Sequence, residues 1–202
     1  IKPELSDAFY QLVLYPIDAC ANLNQLYYCQ ALNNLYHKQE RTFANQMAKK
    51  VKELFYIDTL LSWQYNHIMS NGKWNHQMDQ THIGYTYWQQ PDSNIMPVTY
   101  KYVPVDSAKM GLWIEGDTAS WPRSNSNPKL PMFSKYGQGN YFIEIYNSGN
   151  KPFTAKINPD ADWIKISTSN SLEITYQQRV EVSIDWKKMP PNTESGIIKI
   201  SS

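Results

Sequence analysis

The residues best suited to chemistry are concentrated in one polar and aromatic stretch, which runs from Lys73 to Pro91. Two histidines, one aspartate, two tyrosines and two tryptophans fall within it. These residue types allow three interpretations: a metal site, a carbohydrate-binding surface, or a packed connection between domains. The candidate site residues are Trp74, His76, Asp79, His82, Tyr85, Tyr87 and Trp88.

The metal-site interpretation depends on His76, Asp79 and His82, because imidazole and carboxylate groups are common metal ligands. Their spacing matches no established zinc pattern, and the sequence has no helical HExxH arrangement. Cysteine ligation is excluded as well, because the chain holds only Cys20 and Cys29. On one helix these two would lie roughly 13 Å apart along the axis, whereas a disulfide needs Cα atoms within about 7 Å. We therefore predict no metal, no cofactor and two free thiols in a buried or half-buried setting.

The carbohydrate interpretation depends on flat aromatic faces that lie close to side-chain amides. Four aromatic residues of the stretch offer apolar faces. Donors and acceptors that suit sugar hydroxyls come from the amides of Asn75, Gln77, Gln89 and Gln90. The third interpretation is purely structural, with aromatic and histidine side chains buried between two domains to hold them together. From the residue types alone the structural interpretation leads, because it needs no ligand.

No arrangement of nucleophile, acid and base stands out elsewhere in the chain. Asp79, Glu115 and Asp117 offer carboxylates for a glycosidase-like pair, but such a pair requires a defined separation that spacing in sequence does not give. Glu115 and Asp117 are explained more simply as the end of a strand and its turn. The chain also has no nucleophile-elbow motif and no glycine-rich phosphate loop. We assign no catalytic residue.

Composition limits the partners of the chain. Lys and Arg total 19 and Asp and Glu total 18, so the formal charge of +1 excludes a dominant role in binding nucleic acid, which depends on basic side chains. No stretch approaches a membrane-spanning helix in length and hydrophobicity. Hydrophobic residues make up 42% of the chain, which is enough for one good core or two small ones. The chain opens with Ile1 rather than Met, which indicates a processed or cut start.

The elements that position the stretch begin with a helical region. Apolar residues recur at steps of three and four, which predicts one long helix that ends at Asn71-Gly72. Its predicted buried face is Phe43, Met47, Val51, Leu54, Phe55, Leu61, Tyr65 and Ile68. Upstream, Pro16 indicates a kink or a fresh helix start, and a break is predicted at Asn33-Asn34 and His37. The predicted apolar stripe of the upstream helix is Ile17, Cys20, Leu23, Tyr27 and Ala31.

From about residue 109 the pattern changes to short strands separated by polar turns, which indicates an antiparallel sandwich of immunoglobulin-like type. The expected fold is therefore α+β and multidomain. A helical bundle region over 1–72 precedes an irregular interdomain segment over 73–108 and a β-sandwich over 109–202, either complete or truncated. The predicted strands are Gly111–Glu115, Tyr141–Tyr146, Phe153–Ile157, Trp163–Ser167, Leu172–Tyr176, Val180–Asp185 and Gly196–Ser201.

The central stretch resembles a signature of glycoside hydrolase family 115, the xylan α-1,2-glucuronidases. The segments that carry the resemblance are Trp74–His76, Met78–Thr86 and Trp88–Pro91. Gln11–Pro16 is similar to the start of the helical bundle that follows the catalytic barrel in that family. The following β-domain of the family is similar to this chain at Trp121-Pro122, Asn147, Gly149, Pro152-Phe153 and Asp185-Trp186.

The resemblance implies an accessory, C-terminal part of a secreted enzyme that removes glucuronic acid or 4-O-methylglucuronic acid from xylan with inversion. In such enzymes the acid and base lie on an upstream barrel, so no catalytic residue carries over and this chain alone is expected to be inactive. The implied partners are that barrel and glucuronoxylan or its oligosaccharides, with a homodimer as a further option.

The implied location is extracytoplasmic, in the periplasm or beyond. Within this interpretation the central stretch packs under the barrel or completes a substrate or dimer surface, and Tyr85, Tyr87 or Trp88 is expected to reach the substrate cleft. The alternative is a free-standing carbohydrate-binding or protein-interaction module without catalytic activity.

Overall fold

The protein has an α+β structure in the computed structural model, which describes residues 2–137 and 139–202. Its contacts divide it into two compact units. The first unit comprises residues up to 37 together with 44–101, and the second comprises 38–43 together with 102–202. The segment 73–108, expected to connect two domains, is therefore divided, with its residues up to 101 in the first unit.

The first unit is built around two long helices, α2 and α3. Its elements are a 3₁₀ turn at Pro3–Leu5, α1 at Ser6–Phe9, a π-helical turn at Tyr10–Leu14, α2 at Tyr15–Lys38, α3 at Ala44–Trp63, a π-helical turn at Gln64–Ile68 and a 3₁₀ turn at Met69–Gly72. The predicted long helix is confirmed as α3, but its α-helical part ends at Trp63 and the π-helical turn after it at Ile68, before the predicted end at Asn71-Gly72. Ser70, Asn71 and Gly72 all have positive φ, so the chain leaves the helix before Gly72. The predicted break at Asn33-Asn34 is wrong, since α2 continues through it to Lys38.

The core of the first unit joins the two long helices to Ile83. Its fully or nearly buried members are Leu26, Cys29, Val51, Leu54 and Ile83. The predicted face of α3 is confirmed at its centre, where Val51 and Leu54 lie in this core. Ile68, at the end of that predicted face, is 55% exposed.

The predicted stripe of α2 is wrong, since Ile17 and Tyr27 are 58% and 40% exposed. The helix instead turns Asn22, Leu26, Cys29, Asn33 and Tyr36 inward. Buried asparagine is tolerated on this face because each amide has backbone partners. Asn22 Nδ2 donates to the carbonyl of Leu54 at 2.9 Å, and Asn33 Nδ2 donates to the carbonyl of Ala44 at 2.8 Å.

Both cysteines are free thiols, as predicted. Cys29 is buried, but Cys20 is exposed, so the predicted setting is wrong for Cys20. The cause is the rotation of α2 described above, which places Cys20 on the solvent side of the helix and Cys29 in the core.

The second unit contains the seven predicted strands in two antiparallel sheets. They are β1 Met110–Ile114, β2 Asn140–Asn147, β3 Phe153–Pro159, β4 Ile164–Ile166, β5 Ser171–Ile174, β6 Gln177–Ile184 and β7 Ile198–Ser201. One sheet has the order β1-β2-β6-β4 and the other β5-β3-β7. Every pairing is antiparallel among these strands.

The two sheets share one hydrophobic core. Val180 and Val182 alternate inward with exposed Glu181 along β6, which is the period of a strand with one buried face. Ile157 of the other sheet is fully buried in the same cluster. The remaining fully or nearly buried members are Ile114, Trp121, Ile143, Ile145, Ala155, Trp163, Ile164 and Ile174.

A buried ion pair fixes the 38–43 segment to strand β2 within the second unit. Arg41 is 0% exposed, and its Nη1 lies 2.6 Å from Oε2 of Glu144. The same guanidinium stacks 4.4 Å from the ring centroid of Tyr146. Glu144 also accepts from Nη2 of Arg179 at 2.8 Å through its other oxygen. A carboxylate on a buried strand face is therefore matched by two cations.

Candidate functional site

The residues 81–95 form a closed loop, which we call the aromatic loop. Two hydrogen bonds close its base: the Thr81 hydroxyl donates to the carbonyl of Pro91 at 2.7 Å, and the amide of Ile95 donates to the carbonyl of Ile83 at 3.0 Å. Ile83 is fully buried in the core of the first unit, so the base is also held by apolar packing. The chain between these contacts forms the tip of the loop.

Asp58 of α3 holds both sides of this base. Its Oδ1 lies 2.6 Å from Nε2 of His82, and its Oδ2 accepts from Nδ2 of Asn94 at 3.4 Å. Asn94 in turn accepts the amides of His82 and Ile83 at 2.8 and 2.9 Å through its Oδ1. Asp58 is only 2% exposed, so these bonds lie in a shielded setting where they are stronger than in water.

Gly84 lets the two sides of the base approach each other closely. Its φ is +101°, and a Cβ at this position would lie 2.6 Å from the Cβ of Ile95. Its amide donates to the Tyr27 hydroxyl of α2 at 3.3 Å. A side chain is excluded here on both conformational and steric grounds.

The tip of the loop presents aromatic side chains to solvent. Tyr87 and Trp88 are 75% and 88% exposed, and Tyr85 is 40% exposed. The rings of Tyr87 and Trp88 meet edge to face, with centroids 6.5 Å apart. The interpretation that these aromatics are buried packing groups is therefore wrong for Tyr87 and Trp88.

His76 and Asp79 form a second pair, apart from the aromatic loop. Nδ1 of His76 lies 2.6 Å from Oδ2 of Asp79, and Nδ2 of Asn66 donates to the other carboxylate oxygen at 2.6 Å. His76 has a φ of 69°, so the turn holds it in the left-handed region. Both side chains of the pair are more than half exposed.

The three residues of the metal-site interpretation are divided between these two pairs. His82 is bound to Asp58, whereas His76 is bound to Asp79. Within residues 2–137 and 139–202, no group of three or more His, Cys, Asp or Glu side chains is close enough to hold a metal ion. The three residues therefore belong to two separate hydrogen-bonded pairs and do not form one ligand cluster.

Trp74, the first of the candidate aromatics, does not reach the exposed tip. Its side chain is half-buried, and Nζ of Lys73 lies 4.8 Å from the centre of its ring. That contact is a cation–π interaction of a common surface type. It explains Trp74 without a ligand.

The remaining carboxylate candidates sit in the turn after β1, as the simpler interpretation predicts. Glu115 accepts the amide of Phe142 at 3.0 Å, and Asp117 accepts the amide of Ala119 at 2.8 Å. Asp79 belongs to the first unit and is bound to His76. Each carboxylate therefore has a local structural partner.

The pKa of one residue in the aromatic loop, His82, is shifted by its surroundings. The hydrogen bond to the Asp58 carboxylate raises the pKa of His82 above its usual value, with a smaller contribution from the Gln80 carbonyl. Burial acts in the opposite direction. The protonated form of His82 is thus favoured by its surroundings.

The sequence interpretation did not include the residues that hold the loop, namely Asp58, Asn94 and Tyr27. Asp58 carried a usable signal, because it lies four residues after Leu54 on the apolar face of α3. A carboxylate on a buried helix face requires a partner. Asn94 and Tyr27 carried no comparable signal, since nothing in their spacing separates them from other polar and aromatic residues.

Comparison with known proteins gives no family or relative from which a function could be transferred. No protein-family model matches the chain, and no curated protein matches it. Among the described residues, no helix combines the length and the apolar character that crossing a membrane requires.

Proposed function

We propose that the aromatic loop contacts carbohydrate, as an accessory surface of an enzyme that removes side chains from xylan. The observation that carries the proposal is the exposure of Tyr87 and Trp88, 75% and 88%, at the tip of a loop whose base is hydrogen-bonded to buried Asp58. Large aromatic side chains left in water gain free energy when a flat apolar surface covers them. The face of a pyranose ring is such a surface.

The chemistry of the tip suits an uncharged sugar. Gln89 and Gln90 are exposed next to the aromatic pair, and their amides offer both donors and acceptors to hydroxyl groups. No Asp, Glu, Lys or Arg lies between Thr81 and Pro91. Because the base is fixed, the loop loses little conformational freedom on binding.

The resemblance of the central stretch to the xylan α-1,2-glucuronidases gives the proposal its substrate class. In that case the chain is the helical and β-sandwich region of a secreted enzyme that releases (4-O-methyl)glucuronic acid by inversion, and the catalytic barrel is a partner outside this chain. The sharing of one core by two antiparallel sheets supports an immunoglobulin-like sandwich for the second unit. An extracytoplasmic location follows from a polymeric substrate.

Affinity electrophoresis in gels containing glucuronoxylan tests the sugar contact. We expect retardation of the chain, and at least about a tenfold loss of affinity for Trp88→Ala, since central aromatic contacts dominate small interfaces. Tyr136→Ala is the matched control, because Tyr136 is 93% exposed in the second unit. Equal retardation in gels with and without polysaccharide would contradict the proposal, as would equal losses in both variants.

A free-standing binding module is the second candidate, favoured by the same exposed tip. The two candidates differ in whether Trp88 contributes to catalysis when the chain is joined to a barrel. In an active barrel-containing protein, Trp88→Ala should lower turnover of glucuronoxylan while leaving the melting temperature unchanged. Unchanged turnover combined with binding by the chain alone would favour the module, and unchanged turnover with a lower melting temperature would leave only a structural role.

A further inference from the structure

Both ring nitrogens of His82 are hydrogen-bonded, which fixes the proton count at this position. Nδ1 lies 3.1 Å from the carbonyl oxygen of Gln80, and Nε2 lies 2.6 Å from Oδ1 of Asp58. A carbonyl only accepts, so Nδ1 must carry a hydrogen. An ionised carboxylate also only accepts, so the short contact to Asp58 requires a second hydrogen between Nε2 and Oδ1. The pair therefore holds one more proton than a neutral imidazole beside a carboxylate.

We propose that this shared proton locks the base of the aromatic loop onto α3, and that its loss at higher pH loosens the loop. A neutral imidazole has one N–H, so it can serve either the Gln80 carbonyl or the Asp58 carboxylate. Whichever tautomer forms, one of the two bonds becomes a contact between lone pairs. The lock is a property of the fold; only its effect on sugar contact rests on the proposed function.

The surroundings of the pair leave His82 as the cation that balances Asp58. Within the described part of the chain, His82 is the only basic group within ion-pair distance of this carboxylate. Asn94 contacts its other oxygen but does not titrate. Two further titratable groups face the region from α2: Tyr15, whose pKa is raised mainly by burial and also by the charge of Asp58, and Tyr27, which accepts the amide of Gly84.

The direction of the pH dependence follows from the raised pKa of His82. A histidine whose pKa is raised by folding contributes its full stabilisation below its unfolded pKa, about 6.5. That stabilisation is lost as the pH rises from there through the higher folded value. The loop base should therefore be most rigid in mildly acidic solution and should loosen under neutral to alkaline conditions.

The change is transmitted to the tip through the base. His82 and Asn94 lie on opposite sides of the base, and Asp58 binds both. When the bond to His82 weakens, the amides of His82 and Ile83 keep Asn94, whose 3.4 Å bond to Asp58 is then the remaining hydrogen-bonded link of this base to Asp58. Tyr87 and Trp88 then project from a base that has lost its shortest bond to α3 and keeps the longer Asn94 bond, the Thr81 and Ile95 bonds and the packing of Ile83.

Two measurements on the full chain test the lock. A nitrogen-15 NMR titration should show both nitrogens of His82 protonated at pH 6, with a midpoint above the ordinary histidine value of about 6.5. Amide exchange at Ile83 and Ile95, corrected for the intrinsic effect of pH, should lose about tenfold protection across that midpoint, the factor for one hydrogen bond to a charged group. His82→Gln should remove the pH dependence, and His67→Gln should leave it intact.

The outcomes separate the lock from the proposed function. A His82 midpoint at or below about 6.5 overturns the lock, and so does protection that is constant across the titration. The wild-type titration decides even where His82→Gln fails to fold. A confirmed titration with no retardation by glucuronoxylan at any pH keeps the lock and rejects the sugar contact. Retardation by glucuronoxylan that depends on Trp88, together with a His82 midpoint that is not raised, keeps the sugar contact and rejects the lock.

Discussion

Replacement of Glu144 by Gln should be among the most damaging single changes in the second unit. Arg41 is 0% exposed and lies 2.6 Å from Glu144, so the amide would leave a guanidinium buried without its carboxylate. Removal of one partner from a buried pair costs about 3–5 kcal/mol, because the remaining charge stays in a poorly solvated site. We therefore expect Glu144→Gln to lower the free energy of unfolding of this unit by about 3–5 kcal/mol.

The structure also predicts an asymmetry between the two partners. In Arg41→Met, Glu144 keeps Arg179, whose Nη2 and Nε lie 2.8 and 3.3 Å from its Oε1. The carboxylate stays paired, so the cost should be about 1–2 kcal/mol, close to that of lost hydrogen bonds. The double variant Arg41→Met, Glu144→Gln removes both buried charges and should be more stable than Glu144→Gln. Arg179→Met is the surface control, with an expected cost of about 0–1 kcal/mol, because Arg179 is half-exposed.

Urea unfolding followed by tryptophan fluorescence measures these differences, with Trp113 and Trp163 as reporters in the second unit. The midpoint should fall most for Glu144→Gln and recover in the double variant. Equal losses in the free energy of unfolding for Glu144→Gln and Arg41→Met would refute the predicted asymmetry between the two partners. A double variant that equals the sum of the single changes would refute it as well, because it would indicate that the two side chains act independently.

Three further changes test other parts of the fold. Gly149→Ala should destabilise the second unit by about 3 kcal/mol or more, since its Cβ would lie 1.7 Å from the carbonyl oxygen of Ser107; thermal melting measures the loss. Asn33→Leu should cost about 1–3 kcal/mol in urea unfolding, because it removes bonds to the carbonyls of Ala44 and Tyr100. A thiol reagent should label exposed Cys20 fast and Cys29 slowly, because burial shields Cys29 and raises its pKa; equal rates would contradict the assigned face of α2.

The strands and α3 could be predicted because their patterns are apolar and periodic. Val180 and Val182 mark one face of β6, and Val51 and Leu54 mark one face of α3. The orientation of α2 could not be predicted in the same way. Its inward face includes Asn22, whose amide bonds a carbonyl on α3, and a hydrophobicity pattern treats such a residue as exposed.

The residue types of the candidate site could be predicted from the sequence, but the hydrogen bonds that hold them in place could not. Tyr87 and Trp88 were identified from their residue types, and the structure places both at an exposed tip. His82 and Asp79 were grouped by residue type within one short stretch, although His82 pairs with Asp58 on a helix far upstream in sequence. Spacing fixes neighbours only inside a regular element, and the chain between His76 and His82 is not one.

The aromatic loop depends on its base more than on its aromatic residues. At its tip, Tyr87 and Trp88 contact each other while most of their surface remains in water. Ordering such a segment costs conformational entropy, and exposed contacts do not offset that loss. The stabilising contacts are in the base, where buried Asp58 binds both sides of the loop and Ile83 enters the core. Because Asp58 and Asn94 determine whether the aromatic surface is presented at all, a substitution at either one should remove the surface while every aromatic side chain is still present.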